Sequence, residues 1–246
     1  MSEFRFTRPD NFPPVIKNLI IINVLMYVAQ LTVNNGFSFS EWVQLRSIMP
    51  DELRQLLIKE GVRGSELEFK PHQLITHMFA HSPETLMHIF FNMFTLWMFG
   101  KILENVWGSK RFLQFYIACG LGAAALHLGV EYLHCQSLLT NIKTGGLVTA
   151  EEVGRAVTGA LGASGAVMGV LVAFAYLFPN TELYIMFIPV PVKAKWAVLG
   201  LAAFDLFGGV TGLTGNSIAH FAHLGGALTG FLILLYWNKN NRQTLY

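Results

Sequence analysis

Six apolar runs separated by polar stretches set the pattern of this chain: Val15 to Val33, Leu86 to Leu103, Phe112 to Leu133, Thr158 to Phe178, Val192 to Phe207 and Ile218 to Trp237. A membrane-spanning helix takes about 20 apolar residues, within a range of about 17 to 25, so each run predicts one span and the fifth is the shortest. The first run ends in Gln30, Thr32, Asn34 and Asn35 without a small-residue cleavage site, which predicts an anchor rather than a removable leader. Between the first two spans lies a long loop, residues 34–85. Its Phe37, Phe39, Trp42, Leu45 and Ile48, and a charged helix opening at Pro50-Asp51 with Leu53, Leu56 and Leu57, predict a segment lying partly in the membrane interface, apolar face down. A soluble cap with a small core of its own is the alternative. The second loop, His134 to Val157, is polar and carries no motif. Leu183 to Val192 holds Pro189 and Pro191, which do not suit a helix interior and predict an interfacial turn.

Composition agrees with the pattern. Apolar residues make up 53% of the chain and charged residues 13%, against about 25% charged in a soluble domain. The reading is an all-α membrane protein: an N-terminal segment at 1–14, a six-helix domain at 15–238 and a tail at 239–246. Lys and Arg favour the side of the membrane that holds the N-terminus, as cytoplasmic loops do. With no organellar presequence or seventh span in the pattern, a bacterial cytoplasmic membrane with the N-terminus inside is the expected setting. A net charge of +2 and the lack of Arg-aromatic interleaving exclude nucleic acid as a partner. The two cysteines, Cys119 and Cys135, form neither a disulfide framework nor a metal cluster by spacing.

Polar groups at bilayer depth are costly, so they mark function. Counting 1.5 Å per residue puts Ser164 on the fourth span and His223 on the sixth roughly 6 to 9 Å below the outer face. His88 and Asn92 share one face of the second span within about its first two turns. A serine hydroxyl becomes a nucleophile when a base accepts its proton, and histidine titrates nearest neutrality. The side chains of His88 and Asn92 and the amide of Ser164 can supply donors for the oxyanion of a tetrahedral intermediate. Gly165 and Gly169 form a small-residue stripe on the fourth span, and Ala222, Gly226 and Gly230 form one on the sixth. Such stripes let helices approach closely, and Gly162 is grouped with these packing glycines. A soluble nucleophile elbow is excluded, because Ala166 stands where Gly-x-Ser-x-Gly needs glycine.

The strings "LMHIFFN", "GASGAVMG" and "AHLGGALTG", in this order on spans two, four and six, make the chain resemble the rhomboid family of intramembrane serine proteases. The resemblance runs from Phe12 to Trp237, and Glu104, Gly108 and Tyr116 fit the family's turn after the second span. It implies a rhomboid-like bundle of six transmembrane helices and a dyad of Ser164 nucleophile and His223 base, with His88, Asn92 and the Ser164 amide as oxyanion hole. It also implies no cofactor and cleavage of transmembrane protein substrates near their outer ends. Where the family commonly stacks an aromatic residue on the histidine, this chain has Met168; its first loop lacks the usual Trp-Arg pair, Trp42 and Arg46 being no obvious substitutes. The fifth span and the loop from Gly208 to Ser217 are the expected lateral gate.

Other readings are weaker. His77 with His81 and His220 with His223 sit at helical spacings, but no His-Glu-x-x-His run accompanies them, so no metal is expected. His220 is the rival base, and with His81, Thr214, Asn216 and Ser217 is expected to line a polar vestibule. Asp205 could complete a triad by orienting His223, and an unpaired carboxylate at this depth would be costly; in a family that works with a dyad it is instead assigned to helix capping or local hydrogen bonding. The alternative to a protease is a catalytically silent rhomboid-like binder of transmembrane clients. Neither the oligomeric state nor the substrate is legible.

Overall fold

In the computed structural model, residues 9–33, 39–184, 190–211 and 217–240 are described, with the backbone alone at 217–219. Eleven α-helices occur among them: α1 Pro14–Thr32, α2 Phe39–Val43, α3 Asp51–Lys59, α4 Gln73–Thr76, α5 Leu86–Thr95, α6 Lys101–Trp107, α7 Ser109–Lys143, α8 Ala150–Val157, α9 Ser164–Leu177, α10 Ala194–Thr211 and α11 Ser217–Asn240. A π-helical turn, Leu96–Gly100, joins α5 to α6, so Leu86–Trp107 runs as one span. Five helices are long and apolar enough to cross a membrane, and α9 is a sixth, shorter apolar helix. The fold is a six-helix membrane bundle.

The shortest span is α9, with 14 residues, whereas α10 has 18. The apolar pattern predicts the opposite because residues 158–163 are apolar yet lie outside the helix. Eleven of the fourteen α9 residues are buried, which makes it the central post of the bundle. The main core gathers Phe99, Phe112, Phe115 and Tyr116 around it, together with Val170 and Phe174. Glu104 is buried and accepts from the N–H groups of Val15 and Ile16, both at 2.9 Å, and from the Ser109 hydroxyl at 2.6 Å. One carboxylate thus satisfies the open N-terminus of α1 and ties it to the turn at Gly108, whose φ of 78° favours glycine.

At 35 residues, α7 is about 52 Å long and overruns a hydrocarbon core of about 30 Å. Its outer end, with Cys135, Leu138 and Leu139, packs against Leu53 and Leu57 of α3, Leu67 and Ala156 of α8 as a second core. The apolar stripe of α3 therefore faces protein, while Trp42 and Ile48 stay exposed where an interface would receive them. The loop after α7, polar in pattern, holds α8, whose capping box is closed reciprocally by Thr149 and Glu152. A fork of bonds from Arg155 to the buried Glu131, at 3.0 and 2.7 Å, fastens α8 to α7. The expected turn between spans four and five is a short hairpin, β1 Glu182–Leu183 against β2 Val192–Lys193; Pro189 lies outside the described residues.

Candidate active site

Ser164 is the first residue of α9, and the segment before it explains why. Leu45 and Ala160 exchange N–H···O bonds of 2.8 and 2.9 Å in an isolated antiparallel bridge, and the Gly162 N–H donates to the His77 carbonyl at 2.9 Å. Pinned in this way, residues 158–162 stay out of the helix and lead into the bundle, and Ala163 turns the chain into it. Gly162 has φ 133°, where a side chain is strained. A Cβ there would stand 3.1 Å from Nε2 of His88 and 3.4 Å from Oγ of Ser164. Gly162 therefore belongs to the turn beside the serine and not among the helix-packing glycines, a correction to the sequence pattern.

A cavity of about 740 Å³ is lined by Ser164, His223, His88 and Asn92, together with Gly162 and Gly165. All four polar residues singled out at similar depth thus share one space. His88 accepts at Nδ1 from the Ser82 N–H at 3.2 Å, so its proton sits on Nε2 and can be donated. One N–H of the Asn92 amide goes to the His88 carbonyl at 2.8 Å, leaving the other hydrogen for the cavity. The first turn of α9 has no capping side chain, so its leading N–H groups lack helical partners beside Ser164. These donors and the positive end of the helix favour negative charge at this point.

Backbone contact between α9 and α11 brings the serine and histidine segments together. A Cβ on Gly226 would collide with the Gly165 carbonyl, and one on Gly230 would lie 3.0 Å from Cα of Gly169. At Gly169 a side chain would meet the Gly226 carbonyl at 3.1 Å and run into Cys119 of α7. Any residue larger than glycine would force the helices apart. Met168 is buried in the same core.

For Asp205 the capping assignment is corrected and the hydrogen-bonding one holds. It lies inside α10 rather than at an end, so it caps nothing, and Oδ1 takes bonds from Nδ1 of His220 at 2.7 Å and Nδ1 of His223 at 3.1 Å. The signal was available in one respect: a carboxylate at span depth needs a partner. His223 is the partner a triad would require; that His220 joins it is a matter of helix crossing, beyond the reach of spacing along one chain. His220 is buried in this cluster; Thr214 and Asn216, and the side chain of Ser217, lie outside the described residues, as does much of the expected gate loop.

The remaining polar residues hold the walls. Arg46 is buried and donates to the Val157 carbonyl at 2.7 Å, bracing the strand that leads to Ser164; desolvation lowers its pKa from the ordinary arginine value. Trp42 stacks on His72, ring centroids 4.3 Å apart. His77 donates from Nδ1 to the Gln73 carbonyl at 2.7 Å and lines the cavity. Burial pulls the pKa of His77 down to about 4, and that of His81, clasped at its backbone by Gln30, down to about 4.

A family model, the Rhomboid domain, matches residues 68–240. Among curated proteins the chain is similar to RHOMBOID-like protein 12, mitochondrial, of Arabidopsis thaliana, with 35% identity over 87% of this chain and 55% of that protein. It is also similar to Rhomboid protein 1, mitochondrial, of Saccharomyces cerevisiae, with 31% identity over 65% of this chain and 40% of that one. The human Presenilin-associated rhomboid-like protein, mitochondrial, is 29% identical over 70% of this chain and 40% of its own length. The chain thus spans 40 to 55% of the length of these relatives. Their mitochondrial names overturn the bacterial cytoplasmic membrane as the expected setting. That expectation leaned on a missing presequence, which carries no weight in a chain matching only part of its relatives.

Proposed function

Since the chain belongs to the rhomboid family, we propose that it is an intramembrane serine endopeptidase that cuts transmembrane segments of other proteins close to one membrane surface. One observation carries this reading: Ser164, His223, His88 and Asn92 line a single cavity at the N-terminus of a buried helix. Oγ of Ser164 attacks the substrate carbonyl carbon while Nε2 of His223 accepts its proton. The oxyanion is held by Nε2–H of His88, the amide of Asn92 and the N–H of Ser164, each worth about 100 to 1,000-fold in rate. The C–N bond then breaks as His223 returns the proton to the leaving amine, giving an acyl-enzyme. Water, deprotonated by His223, attacks the ester and releases Ser164.

The substrate segment reaches the cavity from the lipid and unwinds locally to present one peptide bond. No cofactor is needed. Labelling of purified protein by a fluorophosphonate probe tests the reading: Ser164→Ala abolishes labelling, and the unaltered chain both labels and cleaves a transmembrane substrate reconstituted with it. A folded sample that does neither is instead a silent binder of transmembrane clients.

A further inference from the structure

Where α10 crosses α11, three polar side chains meet, and the reaction sequence above uses only His223. Asp205 is 5% exposed on an α10 face otherwise formed by Ala194, Val198, Gly208 and Gly209. Its Oδ1 receives His220 and His223, and Oδ2 lies 3.2 Å from the same Nδ1 of His223. An ionised carboxylate only accepts, so both imidazoles carry a proton on Nδ1. His223 is then left with a bare Nε2 on a ring that lines the Ser164 cavity. A base toward serine requires this tautomer.

The surroundings are shaped for the cluster. A Cβ on Gly208 would come within 2.7 Å of Nε2 of His220, and one on Gly209 within 3.1 Å of the Phe221 ring. Two glycines therefore let α10 close on α11 at the level of the carboxylate. The ring of Phe204 sits edge-on to His220, centroids 5.8 Å apart, and shields it on one side. A carboxylate with one imidazole partner can rotate and release it. With His220 also bound, the Asp205 carboxylate is held from two directions, and the bond to His223 acquires a fixed orientation.

We infer that Asp205 is a positioning residue of the proposed protease: it holds His223 in the Nδ1–H tautomer, and His220 holds Asp205. The inference rests on the protease reading and extends it from a serine-histidine pair to a relay of four side chains on three helices. Asp205 touches no substrate; it acts through the ring of His223.

Two measurements test it. In the full chain carrying Ser164→Ala, with ¹⁵N-labelled histidine and reconstituted in lipid, the NMR spectrum shows a downfield Nδ1–H proton on His223 that disappears on adding Asp205→Asn. This readout needs no activity, and it stands even if Asp205→Asn alone folds poorly, because the tautomer is read in the chain with Asp205 present. In the active chain, Asp205→Asn lowers kcat for a transmembrane peptide and the rate of fluorophosphonate labelling by about 100-fold or more, with KM unchanged. His220→Gln, which keeps a donor toward Asp205, lowers them less. An Nε2–H tautomer for His223, or an unchanged kcat in Asp205→Asn, overturns the inference. A chain that shows the Nδ1–H signal but never labels overturns the protease reading and leaves the tautomer assignment standing.

Discussion

Helices α9 and α10 are both apolar, yet they are held in opposite ways. Eleven of the fourteen α9 residues are buried, locked by backbone contact through Gly165 and Gly169, so its place is set on every side. Of the eighteen α10 residues only Ala194, Val198, Asp205, Gly208 and Gly209 are buried, while Trp196, Leu199, Phe207 and Val210 are exposed. The helix that carries Ser164 is thus fixed by shape, and the neighbouring helix by one polar latch with two glycines. Inside a bilayer this difference is expected: apolar side chains gain little by leaving lipid for protein, so attachment depends on close backbones or on hydrogen bonds.

Replacing the glycine seam should have the largest effect. Gly226→Val puts two methyl groups where the Gly165 carbonyl lies, and the cost exceeds about 4 kcal/mol, seen as loss of the folded species in thermal unfolding in detergent. A smaller effect comes from acid, acting at the wall beside α9. His77 and His81 stay neutral in the fold until the pH nears their values of about 4, whereas in the unfolded chain they protonate near 6.5. The unfolded state therefore binds more protons between those limits. Stability is fully present above 6.5 and falls as the pH drops toward 4, by up to about 3 kcal/mol for each histidine, on the order set by the linkage relation. A chemical-denaturation series across that range checks it, and His77→Gln should flatten the slope. Smallest is Leu199→Ala on the outer face of α10, which should alter stability by less than about 0.5 kcal/mol in the same assay.

The same contrast marks what could be read along the chain. Ser164, His223, His88 and Asn92 stood out because polar residues in apolar runs are few and expensive, and the small-residue stripes indicated which helices come close. The start of α9 was not legible: residues 158–163 are as apolar as a span, and only their pairing with Leu45 and with the His77 carbonyl keeps them out of the helix. Nor was the length of α7, whose polar outer third is helical because α3 and α8 cover one side of it. The Thr149-x-x-Glu152 spacing did announce α8 and went unread. A bond from His223 to Asp205 was open to the sequence as the alternative to a cap; that His220 shares the same carboxylate oxygen was not, because both partners sit on another helix and the crossing alone brings them into reach.

The shortness of α9 bears on how well the protein insulates. Fourteen residues give about 21 Å of helix, less than a hydrocarbon core of about 30 Å. In the proposed protease, water reaching Ser164 stands at one end of this short helix, and α9 with its seam to α11 is what separates it from the far side. The glycine-on-glycine seam is therefore also a plug: backbone packed on backbone between α9 and α11 would let hydrolysis at one end proceed without opening a leak for protons to the other.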